Sequence, residues 1–171
     1  MKTFWKTTFL IFLFLLIDLG TKTFILKMTE FPLEYYGNYE YLYPTILKIK
    51  TINPFFNILL VWNNGISFSM FASHSQLVRW GLVVFASIIV LYLFRFLKKE
   101  KSDFVRLSLI LIISGALGNI IDRIRFGAVI DFLDFHYGTY HWPAFNFADI
   151  FICIGVVFII FHSIFFHKKS E

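Results

Sequence analysis

Charged residues are scarce in this 171-residue sequence, at 16% of the chain, compared with about 25% in an average soluble protein. Cysteine is almost absent: Cys153 is the only one, which excludes an internal disulfide and a zinc site built on paired cysteines. Hydrophobic residues make up 58%, and phenylalanine alone fills 24 positions. This composition excludes a disordered chain, a coiled coil, a disulfide-rich scaffold and most soluble enzymes. It indicates an integral membrane protein with a single domain.

Four apolar runs are long enough for membrane-spanning helices, because about 17–25 residues cross a hydrocarbon core about 30 Å thick. They cover residues 7–26, 77–97, 104–121 and 150–166. The first run follows two lysines, as in a secretory signal peptide, but Asp18 and Lys22 stand where small residues would form a cleavage site. We therefore expect a retained span and an α-helical membrane protein with four transmembrane helices.

The distribution of Lys and Arg predicts the orientation of these spans in the membrane. Four spans place both termini on one side of the membrane. The connection at residues 95–106 is short and rich in Lys and Arg, and both terminal segments carry lysines, so this side is predicted to be cytoplasmic. The connections at residues 27–76 and 122–148 are then predicted to face outward. Because the basic residues flank apolar runs, the net charge of +5 indicates the membrane surface as a partner, and no nucleic acid is expected.

The first outward connection, residues 27–76, is too long for a bare loop. Its residues 30–43 are rich in Tyr and Glu, which favours an irregular segment at the membrane interface. Residues 46–62 hold many β-branched and aromatic side chains around one Asn-Pro pair, which predicts two short strands. After an Asn-Asn-Gly turn signal, residues 66–71 are predicted to lie on the membrane. The expected fold therefore includes a small outward-facing β or irregular segment between helices 1 and 2.

Polar and ionisable side chains lie in or beside the outward halves of the spans. Each needs a structural or functional explanation, because a charge inside a bilayer is energetically costly. The set comprises Asp18, Lys22, Asn63, Asn119, Asp122, Arg123, Asp131, Asn146 and Asp149. Asp18 and Lys22 are one helical turn apart and can form an ion pair, either purely structural or part of a site. Asp122 and Arg123 lie at a span end, where an interfacial anchor is the alternative to a functional role.

Two aspartates of this set are candidates for acid–base chemistry. Asp131 lies within residues 126–135, an apolar stretch too short to span and therefore expected to be re-entrant or interfacial, where partial desolvation would raise its pKa. Asp149 opens the fourth span, where a helix N-terminus stabilises the anion, although an N-terminal cap is the alternative. Two carboxylates in such different environments can divide the acid and base roles. Asp134 is expected to face water.

Several segments resemble blocks of one known family, lipoprotein signal peptidase, the type II signal peptidase of bacteria. Residues 17–22 (IDLGTK) resemble the Asp-x-x-x-Lys segment of its first span, and residues 56–71 (FNILLVWNNGISFSMF) resemble its Asn-x-Gly-x-x-Phe region. Residues 114–123 (SGALGNIIDR) resemble its third block. Residues 129–132 (VIDF) and 145–149 (FNFAD) are similar to its two catalytic-aspartate blocks. The blocks occur in the family's order along a chain with the expected four spans.

The resemblance implies an aspartic endopeptidase in the bacterial cytoplasmic (inner) membrane, with Asp131 and Asp149 as the catalytic dyad near the outer face. It implies supporting or substrate-binding roles for Asp18, Lys22, Asn63, Gly65, Asn119, Asp122, Arg123 and Asn146. The implied substrate is a prolipoprotein that carries diacylglycerol on a cysteine and is cut just before that cysteine. No metal and no cofactor are expected; membrane lipids are the other partners, and the enzyme is expected to be a monomer. The sequence departs from the family pattern at Trp62, where Arg is common, and at Ile66-Ser67, where two alanines are usual.

Two other functions stay open on the residues alone. A small transporter or channel could use the same polar cluster to bind an ion or a lipid. It would need a polar path that continues inward, whereas the inner halves of the four spans are apolar. A purely structural membrane subunit would tolerate the exchange of the aspartates at positions 131 and 149 for asparagine.

Overall fold

The computed structural model describes residues 2–29, 47–65 and 76–166. Within these ranges four helices are long and apolar enough to cross a membrane. These helices are α1 (Lys2–Met28), α2 (Gln76–Lys99), α3 (Asp103–Phe126) and α4 (Phe147–Phe166). The strands are β1 (Leu47–Asn53), β2 (Phe56–Asn63), β3 (Val129–Tyr137) and β4 (Tyr140–His141). The predicted fold class, four apolar helices with a small β segment between the first two, is confirmed. The segments predicted at residues 30–43 and 66–71 lie outside the described residues.

Helix α3 is the centre of the bundle and packs against the other three helices. Glycines allow the closest of these contacts. Gly115 lies against the backbone carbonyl of Ala148 in α4, and Gly118 lies against the carboxylate of Asp18 in α1. A methyl group at either position would overlap these atoms, so both glycines determine how closely α1 and α4 approach α3.

Polar residues mark both ends of α3. Ser102 caps its start by accepting a hydrogen bond from the backbone N–H three residues later. At its end Gly127 takes a left-handed conformation, with φ of 83°, and donates its N–H to the carbonyl of Arg123 at 3.0 Å. The helix therefore continues to Phe126, beyond the apolar run predicted at residues 104–121, because the polar residues of its last turns have partners inside the protein.

The four strands form an antiparallel sheet in the order β1-β2-β3-β4. The two strands predicted within residues 46–62 are confirmed as β1 and β2. The strand β3 was not predicted: residues 126–135 were expected to form a re-entrant or interfacial segment. They become a strand because their backbone pairs with β2, with Asp131 opposite Val61. Such a partner, distant along the chain, leaves no signal in the local pattern.

The sheet is attached to the bundle through a buried apolar cluster. Ile25 and Leu26, near the end of α1, pack with Phe126, the last residue of α3, against Leu60 and Ile130 of the sheet. Burial of apolar surface therefore fixes β2 and β3 over the ends of α1 and α3. The polar residues that β3 carries are placed at the junction between sheet and helices.

Candidate active site

Asp131 of β3 lies between the sheet and the helix ends, with 2% of its surface exposed. The pairing of β3 with β2 brings Asn63, at the end of β2, to this carboxylate. Asn63 Nδ2 donates to Asp131 Oδ2 at 2.9 Å, and Asn146 Nδ2 donates to Asp131 Oδ1 at 2.7 Å. Both oxygens of the carboxylate therefore accept an amide hydrogen bond.

Asp149 lies in the first turn of α4. Asn146 caps this helix: its Oδ1 accepts from the backbone N–H of Asp149 at 3.0 Å, and its own N–H donates to Asp149 Oδ2 at 3.2 Å. This is a reciprocal capping arrangement in which Asn146, and not Asp149, is the N-cap. Asn119 of α3 donates from Nδ2 to the other oxygen of Asp149 at 2.9 Å.

Groups that can only donate fix the orientation of these three asparagine amides. The N–H of Gly65 donates to Asn63 Oδ1 at 3.0 Å, and a backbone N–H of α4 does the same for Asn146. The ammonium group of Lys22 donates to Asn119 Oδ1 at 3.1 Å. Each amide must therefore turn its NH₂ group toward an aspartate. As a result, every oxygen of the two carboxylates receives one N–H from the protein.

A buried ion cluster lies behind the two aspartates. Lys22 Nζ is 2.8 Å from Asp18 Oδ2 and 2.9 Å from Asp122 Oδ2. The predicted Asp18–Lys22 ion pair is confirmed, and it includes a second carboxylate from α3. The alternative of an interfacial anchor is wrong for Asp122, because its side chain is buried and paired.

The same cluster holds the backbone beside each active-site aspartate. Asp122 Oδ2 accepts from the N–H of Ile130 at 3.2 Å, and Ile130 immediately precedes the aspartate of β3. Asp18 Oδ1 accepts from the N–H of Ala148 at 2.9 Å, and Ala148 immediately precedes the aspartate of α4. Lys22 thus pairs with two carboxylates, one of which holds β3 while the other holds the first turn of α4.

Arg123 and Gly65 are joined by a hydrogen bond of 2.6 Å between the guanidinium group and the Gly65 carbonyl. A second guanidinium nitrogen donates to the carbonyl of Asn119 at 3.3 Å. Gly65 therefore acts through its backbone: its carbonyl accepts from Arg123, while its N–H orients Asn63. The predicted residue Gly65 is at the site, although it contributes no side chain.

A cavity of about 540 Å³ opens at this cluster. Its polar lining consists of Asn63, Asn119, Arg123, Asp131 and Asp149. The rest is largely apolar and comes from α2, from α4 and from the segment that follows β4, with Ala116 of α3 and Val129 of β3. Of the other predicted residues, Asn146 contacts Asp131 without lining the cavity, and Asp18, Lys22 and Asp122 lie behind the site.

Burial and, to a smaller extent, the negative charge of Asp149 raise the pKa of Asp131 to about 8. The hydrogen bonds from Asn63 and Asn146 oppose this rise without cancelling it. At neutral pH Asp131 therefore holds a proton that it can donate.

The sequence analysis missed a second polar cluster, on the sheet. Asp134 was expected to face water, but it is buried: Asn57 Nδ2 donates to Asp134 Oδ2 at 2.7 Å, and His141 Nδ1 lies 2.8 Å from Oδ1. Burial alone would raise the pKa of Asp134, but these hydrogen bonds and the charge of His141 hold it below its ordinary value. The sequence carries no signal for this burial, because a three-residue spacing puts Asp134 on the opposite face of the strand from Asp131, where water would be expected.

Trp62, one of the departures from the family pattern, is a core residue. Its ring packs edge-on against Phe126 with centroids 5.7 Å apart, and it does not line the cavity. The substitution therefore affects the attachment of the sheet and leaves the polar lining intact. The other departure, Ile66-Ser67, lies outside the described residues.

Known proteins are similar in sequence to most of this chain. Residues 10–165 match the family model described as signal peptidase (SPase) II. The chain is 46% identical to a lipoprotein signal peptidase of Polynucleobacter necessarius subsp. necessarius over 112 residues, 65% of this chain and 69% of the relative. It is 45% identical to that of Desulforapulum autotrophicum over 121 residues, 69% and 75% of the two chains. It is 43% identical to that of Burkholderia mallei over 119 residues, 68% and 70% of the two chains.

Solved structures share the fold. One, described as a bacterial membrane enzyme, superposes with a TM-score of 0.73 at 26% identity and covers 97% of this chain and 93% of its own. A second with the same description has a TM-score of 0.70 at 26% identity, covering 96% and 94%. The sequence match extends from the first helix to the last, and the structural match includes the sheet. The chain belongs to the signal peptidase II family of aspartic peptidases.

Proposed function

We propose that this chain removes the signal peptide from bacterial prolipoproteins whose cysteine carries diacylglycerol, cutting the peptide bond just before that cysteine. The observation that carries the proposal is the pair Asp131 and Asp149, two carboxylates on different elements that line one cavity. Only one of them needs to hold a proton at neutral pH, and the pKa of Asp131 near 8 assigns the proton to it. The relatives that match the chain are named lipoprotein signal peptidases.

The hydrolysis uses both aspartates. Asp149 accepts a proton from a water molecule as the water oxygen attacks the carbonyl carbon of the scissile bond. Asp131 gives its proton to the carbonyl oxygen, which yields a neutral tetrahedral intermediate. When this intermediate collapses, the C–N bond breaks, the amine leaves with the proton held by Asp149, and a hydroxyl proton of the intermediate returns to Asp131. The dyad ends in the charge state in which it began.

The surrounding residues position the dyad. Asn63, Asn119 and Asn146 occupy one lone pair on each carboxylate oxygen, so the lone pairs that remain are directed away from the protein donors. Arg123 adds a positive charge to the cavity wall, where negative charge develops on the carbonyl oxygen. The buried cluster of Asp18, Lys22 and Asp122, with Gly65, acts through the backbone and through the orientation of the asparagines.

The apolar part of the cavity suits a lipid-bearing substrate. Leu82, Phe85 and Ile89 of α2 line it, together with Ile150 and Ile154 of α4. Such walls can accommodate acyl chains or the apolar side chains of a signal peptide. Because the carboxylates are at the end of the spanning helices, the bond to be cut would lie close to the membrane surface, as a lipid-anchored cysteine requires.

We further propose that the protein resides in the bacterial cytoplasmic (inner) membrane with both termini in the cytoplasm and the active site near the outer face. Lys98 and Lys99 end α2, and Lys101 follows in the short connection to α3, at the end of the bundle opposite the site. Positively charged connections of this kind remain on the cytoplasmic side. That the enzyme acts as a monomer stays a prediction.

The donor set around the dyad argues against a catalytic metal. Among the described residues, a metal ion would find only two carboxylates in the polar lining of the cavity, beside a guanidinium group and two asparagines that turn their NH₂ groups toward the aspartates. A transporter also fits poorly, because the polar lining of this cavity ends at the aspartates and the lining toward the middle of α2 and α4 is largely apolar.

The direct test compares two substrates. Purified protein in detergent is expected to cleave a prolipoprotein whose cysteine carries diacylglycerol and to leave the same polypeptide without the lipid intact. The rate is expected to be unchanged by a metal chelator. Equal cleavage of both substrates would contradict the proposed requirement for lipid, and a loss of activity to the chelator that added metal restores would contradict the mechanism.

A further inference from the structure

Helix α2 supplies one wall of the cavity and packs against α3. Leu82, Phe85 and Ile89 line the cavity, whereas Val83 and Val90 are buried against α3. Most of the remaining side chains of α2 are exposed on the surface that would contact lipid. The width of the cavity therefore depends on what fixes the first turns of α2 against α3.

Arg79 makes that connection. It lies in the first turn of α2, one turn before Leu82, and its guanidinium group reaches the end of α3. Nε donates to the carbonyl of Arg123 at 2.7 Å, and a terminal nitrogen donates to the carbonyl of Ile124 at 2.7 Å. Carbonyls in the last turn of a helix lack partners within that helix, so they can accept these two hydrogen bonds. We call this pair of hydrogen bonds from one guanidinium group the Arg79 fork.

The end of α3 has supports besides Arg79. The carbonyl of Arg123 also accepts from Gly127 at 3.0 Å, and the Arg123 side chain is held by the carbonyl of Gly65. Loss of the Arg79 fork should therefore release the start of α2 while leaving α3 and the aspartates in place. Arg79 itself does not line the cavity.

We propose that Arg79 is a positioning residue that holds the α2 wall of the cavity at a fixed separation from the two aspartates. It acts on substrate binding through Leu82 and Phe85 and takes no part in proton transfer. This role rests on the proposed function for its kinetic readout, but the geometry that it describes is independent of the substrate.

The kinetic test uses Arg79→Gln in detergent with the lipid-modified prolipoprotein. KM is expected to rise about tenfold, kcat to change by less than about twofold, and the pH dependence of kcat to stay the same. Arg79→Lys keeps the charge but cannot form the fork, so its KM should rise as well. Arg95→Gln is the matched control, because Arg95 is an exposed arginine near the other end of the same helix. Its KM should match that of the unchanged protein.

The second readout needs no substrate. In a Cys153→Ser background, Ala116→Cys places a thiol at a half-buried position of α3 that lines the same cavity and packs against the apolar cluster shared with α2, so its rate of alkylation by a maleimide reports how open the cavity is. We expect Arg79→Gln to react several-fold faster than Arg95→Gln while melting at a similar temperature. If Arg79→Gln does not accumulate in membranes, the same two measurements on Arg79→Lys decide the question.

Two results would overturn the proposal. One is a KM and an alkylation rate of the Arg79 variants equal to those of Arg95→Gln. The other is a fall in kcat with unchanged KM, which would mean that Arg79 acts on the reacting groups through Arg123. If the unchanged protein fails to cleave the lipid-modified substrate, the proposed function fails, and the alkylation of the cysteine at position 116 alone then decides the role of Arg79.

Discussion

Three asparagines place one hydrogen-bond donor on each oxygen atom of the two aspartates. Their amide groups cannot rotate freely, because Gly65, Lys22 and a backbone N–H of α4 each require an acceptor from one of them. The aspartates therefore meet donors at fixed places, and the pKa of Asp131 reflects a balance between burial and these donors. An asparagine at such a position tunes the proton affinity of its neighbour without carrying charge.

The pH dependence of the reaction follows from this balance. The mechanism needs protonated Asp131, and its pKa is about 8, so kcat/KM is expected to fall as the pH rises through about 8. The hydrogen bond from Asn63 favours the ionised form of Asp131. Asn63→Ala should therefore move the alkaline limb to higher pH, and the lost donor should lower the rate at pH 7 by roughly tenfold.

Asn64→Ala is the matched control for this prediction, because it removes a neighbouring asparagine that does not line the cavity. Its pH profile should coincide with that of the unchanged protein. An alkaline limb that stays in place or moves to lower pH in Asn63→Ala would contradict the assignment of the proton to Asp131.

Asp134 is predicted to stabilise the sheet without taking part in the reaction. Asp134→Ala leaves the Asn57 amide without its acceptor, which should lower the free energy of unfolding by about 1–3 kcal/mol. Because folding holds the pKa of Asp134 below its ordinary value of 3.8, the ionised group stabilises the folded state at neutral pH. This contribution is lost as the pH falls below 3.8 toward the pKa of the folded state.

Thermal unfolding in detergent at several pH values tests the role of Asp134. The difference in melting temperature between Asp134→Ala and the unchanged protein should shrink in acid, while kcat at neutral pH stays within a fewfold of normal. A loss of activity as complete as that expected for the dyad variants would mean that Asp134 belongs to the catalytic machinery.

At the scale of helices, the close approach of α1 and α4 to α3 brings the site residues together. Gly115→Ala would push a methyl group into the Ala148 carbonyl, and Gly118→Ala would push one into the Asp18 carboxylate. Each should destabilise the protein by about 1–3 kcal/mol, since the helix backbones must move apart. Gly118→Ala should also reduce activity, because Asp18 holds the backbone N–H of Ala148.

The chain offers matched controls for these two glycines. Gly20 and Gly81 are also within helices, but a Cβ atom there would meet nothing within 4 Å. Gly20→Ala and Gly81→Ala should therefore be neutral or stabilising by about 0.5–1 kcal/mol. If all four alanine variants melt at the same temperature, helix spacing is not what these glycines provide.

The elements differ in how well local sequence predicts them. The apolar runs predict four helices, and the β-branched residues around an Asn-Pro pair predict β1 and β2. Local sequence does not predict β3, because an apolar stretch with two aspartates becomes a strand only once β2 is available to pair with it. The extension of α3 to Phe126 likewise depends on partners that Lys22 and Gly65 provide from elsewhere in the chain.

At the scale of the whole molecule, the predicted topology can be measured with single cysteines. In a Cys153→Ser background, Lys101→Cys would lie in the α2–α3 connection and Thr139→Cys in the β3–β4 turn, and both positions are exposed. In intact cells, a membrane-impermeant thiol reagent that reaches the outer face is expected to label position 139 and to spare position 101. Labelling of position 101 alone would show the opposite orientation.

Most of the candidate site could be predicted because intramembrane polar residues are conspicuous in an apolar chain. Asp131, Asp149, Asn63, Asn119 and Arg123 do line one cavity. What could not be predicted is the division of tasks, since sequence spacing does not reveal that Lys22 orients Asn119 or that Gly65 uses only its backbone. These relations depend on contacts across elements.

The most direct test of the account is the cleavage of a diacylglyceryl-modified prolipoprotein by Asp131→Asn and Asp149→Asn in detergent. Each variant should melt close to the unchanged protein and lose at least about a thousandfold in kcat, because asparagine neither accepts the water proton nor donates one. Asp103→Asn, which changes an exposed aspartate at the start of α3, should keep full activity. Near-normal cleavage by either dyad variant would contradict the proposed mechanism.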